Sequence, residues 1–406
     1  MTLLVIILTV LTAGVLCIWL GRHVMISRQS KRTFLLTEDY IEKNAGNTDS
    51  KSILEKSPPR ISVIIAAKDE QDCIERCVRT MLMQDYPNFE IIVANDRSTD
   101  RTAQIVERIA NEDNRLRLIN IKSLPEGWCG KNNAMQTAIL QSSGEWICMT
   151  DADCWQQSSR TLSVAMAYAL DTNADLLSIL PNLEMKSFWE NVVQPVAGGI
   201  MMIWFLPDKV NNPQKKNAYA NGAFMLMKRS AYDAIGGHQA VRDKVNEDMH
   251  IAAKIKSMGL NLRIVQNKGL YFVRMYSSLK QSLQGWSRIF FGTFCTFRRL
   301  LASLLLLTTM SLLPYIVAII GLVGWAIAAE SKTLFLIMGL TGLAAVIAQM
   351  TVLLRYYPLV NAKRSMIWTY PLGCLICFIA LVSAMFKLRP GAKITWRNTT
   401  YAQNKA

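Results

Sequence analysis

Three groups of carboxylates fall between residues 60 and 250 where a sheet-forming chain would present them. Asp96 ends the apolar run Glu90-Ile91-Ile92-Val93-Ala94-Asn95-Asp96, and Asp151 and Asp153 end Trp146-Ile147-Cys148-Met149-Thr150-Asp151-Ala152-Asp153. Glu247-Asp248 opens a helical pattern whose apolar face is Ile251, Ile255 and Met258. A D-x-D after a strand offers hard oxygen ligands for Mg2+ or Mn2+, with a diphosphate completing the shell, so Asp151 and Asp153 are the candidate metal ligands. The plain alternative is a solvated acidic turn. Asp248 is the candidate general base. Inverting sugar transfer needs one carboxylate to take the acceptor's proton while a metal steadies the leaving diphosphate. Its plain alternative is helix-start charge set against the helix dipole. Lys131 follows Gly127-Trp128-Cys129-Gly130 and precedes a helix, where it could reach a phosphate beside helix-terminal N–H groups or stand as a surface lysine. Asp96 could accept hydrogen bonds from a base or ribose, or simply cap a helix, a task Ser98, Thr99 or Asp100 could also perform. With 3 histidines and no H-x-x-x-H pair, a histidine metal site is not expected.

The elements that must position these residues alternate. Ile61 to Ala66, Ile91 to Ala94, Leu116 to Ile121 and Trp146 to Thr150 read as short buried strands. Gln71 to Met83, a segment ending at Ala110, Lys131 to Ser142 and Ser158 to Leu170 read as the helices between them. That order predicts an α/β domain with a parallel sheet over residues 60–275. Ligands of such sheets bind at the carboxyl ends of the strands, where Asp69, Asp96 and Asp151 fall. Residues 187–206 are apolar without strand character and read equally as an acceptor-facing helix or as core. Residues 276–300 alternate aromatic, basic and polar side chains, the pattern of a helix lying in a membrane interface.

The rest of the chain is too apolar for water. Leu3 to Leu20 carries no charge, and further apolar stretches run from about residue 301 to 329, 333 to 354 and 366 to 386. Each is long enough to cross a bilayer. The chain therefore reads as an N-terminal anchor (1–21), a polar linker (22–59), the α/β domain, an interfacial helix, about three C-terminal transmembrane helices (301–387) and a basic tail (388–406). Arg22, His23, Arg28, Lys31 and Arg32 after the first helix place the α/β domain in the cytoplasm by the positive-inside rule. The formal charge of +15 gathers at helix ends and in the tail, and no nucleic-acid recognition motif accompanies it. The 9 cysteines are scattered, and Cys374-x-x-Cys377 lies inside an apolar helix, so neither a disulfide framework nor a zinc site is expected.

Taken together and in order, Val63-Ile64-Ile65-Ala66-Ala67-Lys68-Asp69-Glu70, Gln84-Asp85-Tyr86-Pro87, Asn95-Asp96-Arg97-Ser98-Thr99-Asp100, Gly127-Trp128-Cys129-Gly130-Lys131, Asp151-Ala152-Asp153, Gly236-Gly237-His238 and Asn246-Glu247-Asp248 resemble family-two inverting glycosyltransferases of the GT-A fold. The resemblance covers roughly residues 60 to 300. It implies transfer from a nucleotide sugar, usually a UDP-sugar. Ala66, Asp69, Glu70, Asp96, Lys131 and Asp151 would face the donor, Asp151 and Asp153 the metal, and Asp248 would be the base. Glu247, Gln284, Trp286 and Arg288 would meet the acceptor or the diphosphate. Departures from the pattern are Ala66 for a proline, Asp69 for an asparagine and Asn95 for an aspartate. The Q-x-x-R-W signature of processive synthases reads here as Gln284-Gly285-Trp286-Ser287-Arg288. That change of order, with Arg274-Met275-Tyr276 upstream, is more similar to the hopanoid-associated, carotenoid and ceramide glucosyltransferase relatives.

The expectation is a multi-pass cell-membrane enzyme that places one sugar from a UDP-sugar on a lipid or other hydrophobic acceptor. A processive polysaccharide synthase and a non-catalytic nucleotide-binding membrane protein are the alternatives. The sequence sets neither the sugar nor the oligomeric state. One conflict stands: three full C-terminal crossings would put the basic tail outside, against the charge rule. A cytoplasmic tail is expected, with residues 302–329, interrupted by Pro314, as the irregular segment.

Overall fold

The computed structural model describes residues 2–29, 35–44, 50–389, 393–396 and 399–402. Its centre is an eight-stranded sheet of order β1-β10-β7-β9-β5-β2-β3-β4. The strands are β1 (Leu35–Leu36), β2 (Ile61–Ala67), β3 (Phe89–Asn95), β4 (Leu116–Asn120), β5 (Trp146–Asp151), β7 (Leu176–Leu180), β9 (Met225–Lys228) and β10 (Leu262–Asn267). All pairings are parallel except those of β9, which runs antiparallel between β5 and β7. A small second sheet of order β6-β11-β8 is built from β6 (Cys154–Gln156), β11 (Tyr271–Val273) and β8 (Asn182–Leu183).

The central strands are buried on both faces, which is why they read as unbroken β-branched runs. Alternate residues serve two different cores. Val63, Ile65, Ile91 and Val93 join the helices of one face, among them Ile74–Leu82 and Thr161–Asp171. Ile64, Ile92 and Ile147 point the other way, into a core that continues into Phe290, Leu307 and Cys377. The central sheet and the helices beneath it therefore share one hydrophobic interior.

Residues 22–59 are more than a linker. The first helix runs to Gln29, Leu35 and Leu36 pair with Gln266 and Asn267, and Tyr40 Oη donates to Asp171 Oδ2 at 2.9 Å. A two-residue strand is shorter than any periodicity, so the sequence gives no sign of it. The stretch 276–300 is likewise two elements. Helix Leu279–Phe294 stops where Cys295 adopts φ +54°, and a new helix starts at Phe297 with Thr296 Oγ1 accepting from the Arg299 N–H.

Among the described residues four helices are long and apolar enough to cross a membrane: Thr2–Ser27, Phe297–Ile327, Lys332–Leu359 and Arg364–Phe386. The second and third meet at glycine. A Cβ on Gly321 would lie 2.2 Å from the Gly339 nitrogen, so only glycine lets the backbones approach this closely. A π-helical turn over Thr308–Leu312 precedes Pro314. Proline has no N–H to give to the carbonyl four residues back, that of Met310. Two side chains from neighbouring helices replace it: Trp19 Nε1 donates to Met310 O at 2.8 Å and Gln349 Nε2 at 3.4 Å. Trp19→Phe and Gln349→Leu should each lower the thermal unfolding midpoint in detergent by a few degrees, corresponding to about 1 kcal/mol. Unchanged midpoints in both variants would show that the carbonyl needs neither partner.

Candidate active site

The pocket opens at the carboxyl ends of β2, β3 and β5, with a volume of about 540 Å3. One wall is the β2 exit, Ala66 to Lys68, with Glu70 and Asp96; the next is Asp151 to Asp153; the far wall is Asn221 to Ala223 and Val245 to Met249. Helix Leu279–Phe294 closes it from below through Gln284, Gly285, Arg288, Ile289 and Thr293. Residues over two hundred positions apart in sequence meet here because parallel strands deliver all their carboxyl ends to one edge.

Asp248 sits at the second position of helix Glu247–Ser257. Its Oδ2 accepts from the Gly222 N–H at 3.0 Å and its Oδ1 from the Met249 N–H at 2.8 Å, so the carboxylate is held from two sides. Burial and the neighbouring Glu247 push its pKa up to about 7, against the opposing pull of Lys131 and of the two N–H donors. A carboxylate poised there can both hold and release a proton near neutral pH. The start of this helix is anchored to the pocket floor: Asn246 Nδ2 donates to Thr293 Oγ1 at 3.0 Å, and a Cβ on Gly292 would fall 2.5 Å from the Asn246 side chain.

Lys131, at the start of helix Gly130–Leu140, spans the pocket rather than facing water. Its Nζ is 2.7 Å from Asp151 Oδ1 and 2.7 Å from Glu247 Oε1. Burial alone would discharge it, but Asp151, Glu247 and Asp248 outweigh burial and hold its pKa well above the ordinary lysine value. One ammonium thus links the D-x-D to the acidic pair Glu247-Asp248. His238 stays out of the pocket; its Nδ1 is 2.9 Å from Tyr232 Oη, and burial, with Lys131, depresses its pKa to about 3.

Asp96 is buried and pairs with its neighbour, Arg97 Nε to Oδ1 at 2.8 Å. Gly130 is what makes room for it, since a Cβ there would lie 2.3 Å from Asp96 Oδ2. Of the residues expected at the site, Ala66, Glu70, Asp96, Lys131, Asp151, Asp153, Glu247, Asp248, Gln284 and Arg288 line this one pocket.

Two do not. Asp69, at φ +53°, turns away: its Oδ1 accepts from the Thr99 N–H at 2.8 Å, tying the β2 exit to the β3 exit. Trp286 is buried on the opposite side of its helix, where Nε1 donates to Gln194 Oε1 at 2.9 Å and the ring packs on Phe290. It packs the floor helix against helix Phe188–Trp204. Asn95 also lies outside the pocket lining, donating to Asn120 Oδ1 at 2.8 Å across β3 and β4. Conversely, Gly222 belongs to the pocket and was not legible as a site residue, and Tyr276 and Met201 line it too, Met201 from the segment that read as an acceptor-facing helix or as core. Tyr276 lies across Gly285, where a Cβ would come within 2.1 Å of its ring.

Residues 62–236 match the family described as glycosyl transferase family 2. The probable glycosyltransferase YdaM of Bacillus subtilis (strain 168) is 27% identical over 225 residues, 51% of this chain and 49% of that protein. The 4,4'-diaponeurosporenoate glycosyltransferase of Staphylococcus aureus (strain USA300) is 24% identical over 231 residues, 56% of this chain and 60% of that protein. The chain thus spans about half the length of the first relative and three fifths of the second. Among solved structures, the mannosyltransferase PcManGT from Pyrobaculum calidifontis, in complex with GDP-Man and Mn2+, is similar in fold. It has a TM-score of 0.55 and 20% identity, covering 95% of this chain and 98% of that one.

Proposed function

From a chain that carries a family 2 glycosyltransferase domain on a GT-A-like sheet, we infer a membrane-bound inverting glycosyltransferase that moves one sugar from a UDP-sugar to a lipid or other hydrophobic acceptor. The observation that carries this reading is Asp248: a carboxylate fixed by two N–H donors, raised to about 7, in the same pocket as Asp151, Asp153 and Lys131. The acceptor oxygen attacks the anomeric carbon from the Asp248 side and its proton passes to that carboxylate. The bond from the anomeric carbon to the diphosphate oxygen breaks, and the nucleoside diphosphate leaves toward Lys131 and Arg288.

Among the described residues no group of three or more His, Cys, Asp or Glu side chains could hold a metal. Two adjacent carboxylates still fit Mg2+ or Mn2+, ions that keep waters and take substrate phosphates as their remaining ligands. Asp151 and Asp153 would hold it, and once bound it would neutralise charge on the departing diphosphate. The acceptor side of the pocket is apolar, with Met201, Met249 and Ile289, which suits a lipid lying at the membrane.

The test is turnover by the detergent-solubilised full chain, offered UDP-sugars and GDP-mannose with Mn2+ or Mg2+ and a total lipid extract. The expected result is release of UDP together with lipids heavier by one sugar. Asp153→Asn should raise the Mn2+ concentration for half-maximal rate by on the order of tenfold or more, at least the cost of losing an outer-shell partner. Long polymer would convert the reading to a processive synthase, and release of GDP alone would replace UDP as the donor nucleotide. Absence of any nucleotide release under all donors would sink the transferase.

A further inference from the structure

We infer that the last apolar helix does not cross the bilayer but lies in the interface of the leaflet facing the catalytic domain, so that the basic tail ends on the catalytic side. Arg364–Phe386 is long and apolar enough to cross. A crossing helix, however, has its ends on opposite faces of ~30 Å of hydrocarbon. Both ends of this one are held by the same domain.

At its entry, Asn361 Nδ2 donates to Leu183 O of β8 at 3.0 Å, and the Lys363 N–H donates to Asn191 Oδ1 at 3.4 Å. Asn191 adjoins Glu190, whose buried carboxylate is paired with Arg274 at 2.9 Å. Midway, a Cβ on Gly373 would lie 2.3 Å from the Val192 carbonyl oxygen. At its exit, Ser287 Oγ donates to Ser383 Oγ at 2.9 Å and accepts from Lys387 Nζ at 2.7 Å. Ser287 immediately precedes Arg288, which lines the pocket. An ammonium in contact with the pocket floor cannot stand on the far side of the membrane.

The cores agree. Cys374, Cys377, Ala380, Leu381 and Ala384 belong to the hydrophobic interior that contains Ile64 and Ile92 of the sheet. The helices that do cross also form interiors of their own: Val5 with Val317, Phe335 and Met338, and Val15 and Trp19 with Ala348 and Val352. The opposite face of the last helix is bare hydrocarbon. Trp368, Leu375, Ile379 and Phe386 are 65%, 51%, 53% and 54% exposed. At 3.6 residues per turn Leu375, Ile379 and Phe386 fall within an arc of ~40°, and Trp368 lies in the 3-10 turn Arg364–Thr369 just before that helix. A stripe so apolar on a helix with both ends on the catalytic side is covered by the acyl chains of that leaflet.

Three crossings then remain, and they return the chain to the side where it began its catalytic domain. The conflict between helix count and the charge rule disappears. The irregular segment expected at residues 302–329 is not the cause, since that helix bends at its π turn but continues to Ile327.

The test places a nitroxide at Trp368→Cys, Leu375→Cys, Ile379→Cys or Phe386→Cys in the full chain. Exposed Cys17 and Cys295 are first replaced by Ser and Asn, and the protein is reconstituted in vesicles of phosphatidylcholine and phosphatidylglycerol. All four face lipid, so the substitutions leave the fold alone. An interfacial helix gives four similar depths, whereas a crossing helix spreads them over ~27 Å at 1.5 Å per residue. A second arm labels intact cells with an impermeant maleimide. Glu330→Cys, in the loop between the second and third helices, should react and Arg389→Cys should not. A monotonic run of depths, or labelling of Arg389→Cys from outside, overturns the inference. Neither readout depends on transferase activity.

Discussion

Asp248→Asn is expected to abolish transfer, lowering kcat/KM by on the order of 10^3 or more, while leaving the fold intact and the donor bound. The amide keeps the shape, and its one oxygen can accept from either the Gly222 or the Met249 N–H, but it cannot take a proton. In the parent protein kcat/KM should rise with pH through about 7 and then level, as the carboxylate becomes free to act. The variant's residual rate should show no such limb. Stability should move oppositely. A carboxyl whose folded pKa lies above its unfolded one binds its proton more tightly in the folded state. Between those two values the folded protein therefore loses stability as pH rises. Removing the charge should make Asp248→Asn more heat-stable than the parent at pH 8 and no different at pH 4. An inactive variant that also melts earlier at pH 8 would show a structural role, and retained turnover would exclude Asp248 as the base.

Lys131→Met is the second large effect, and its signature is a displaced pH profile. The side chain fits in length, but Asp151, Glu247 and Asp248 would then face one another without the ammonium now 2.7 Å from the first two. Lys131 pulls the Asp248 pKa down, so its loss should move the ascending limb of the pH profile to the alkaline side by about one unit or more. Breaking a buried pair by removing one partner costs about 3–5 kcal/mol. Because the folded pKa of Lys131 is raised, its stabilisation is fully present below the ordinary lysine pKa and fades only as pH climbs through the raised value. The variant should therefore melt earlier throughout the neutral range, and Lys131→Arg should recover most of the stability but less of the rate. An unmoved pH limb with an unmoved melting point would mean the lysine is not the link between the two acidic groups.

Much of this arrangement was legible in the chain. Buried parallel strands leave continuous runs such as Val63-Ile64-Ile65, and the ends of such runs mark Asp96 and Asp151. The antiparallel β9 left no such mark. Met225-Leu226-Met227 lies in a stretch where Met and Ala fit helix and strand alike, and with it Gly222, the donor to Asp248, stayed hidden. Side-chain direction was the other blind spot. Gln284, Trp286 and Arg288 are within one helical turn of each other, yet a 100° step per residue sends the indole into Gln194 while its neighbours face the pocket. Asp69 was misplaced for a similar reason, since a positive φ reverses where a carboxylate points. Membrane placement was harder still. Hydropathy counts apolar residues and is blind to which domain packs on them.

The carbonyl freed by Pro314 also imposes an order on biosynthesis. Trp19 is made nearly three hundred residues before the group it serves, and Gln349 thirty-nine residues after it. As the ribosome proceeds from the N-terminus, the membrane part gains one partner for that oxygen at a time and is complete only when the third helix arrives. A chain cut between residues 327 and 349 would keep a half-satisfied peptide group in lipid, a mark by which membrane proteases could tell unfinished copies from finished ones.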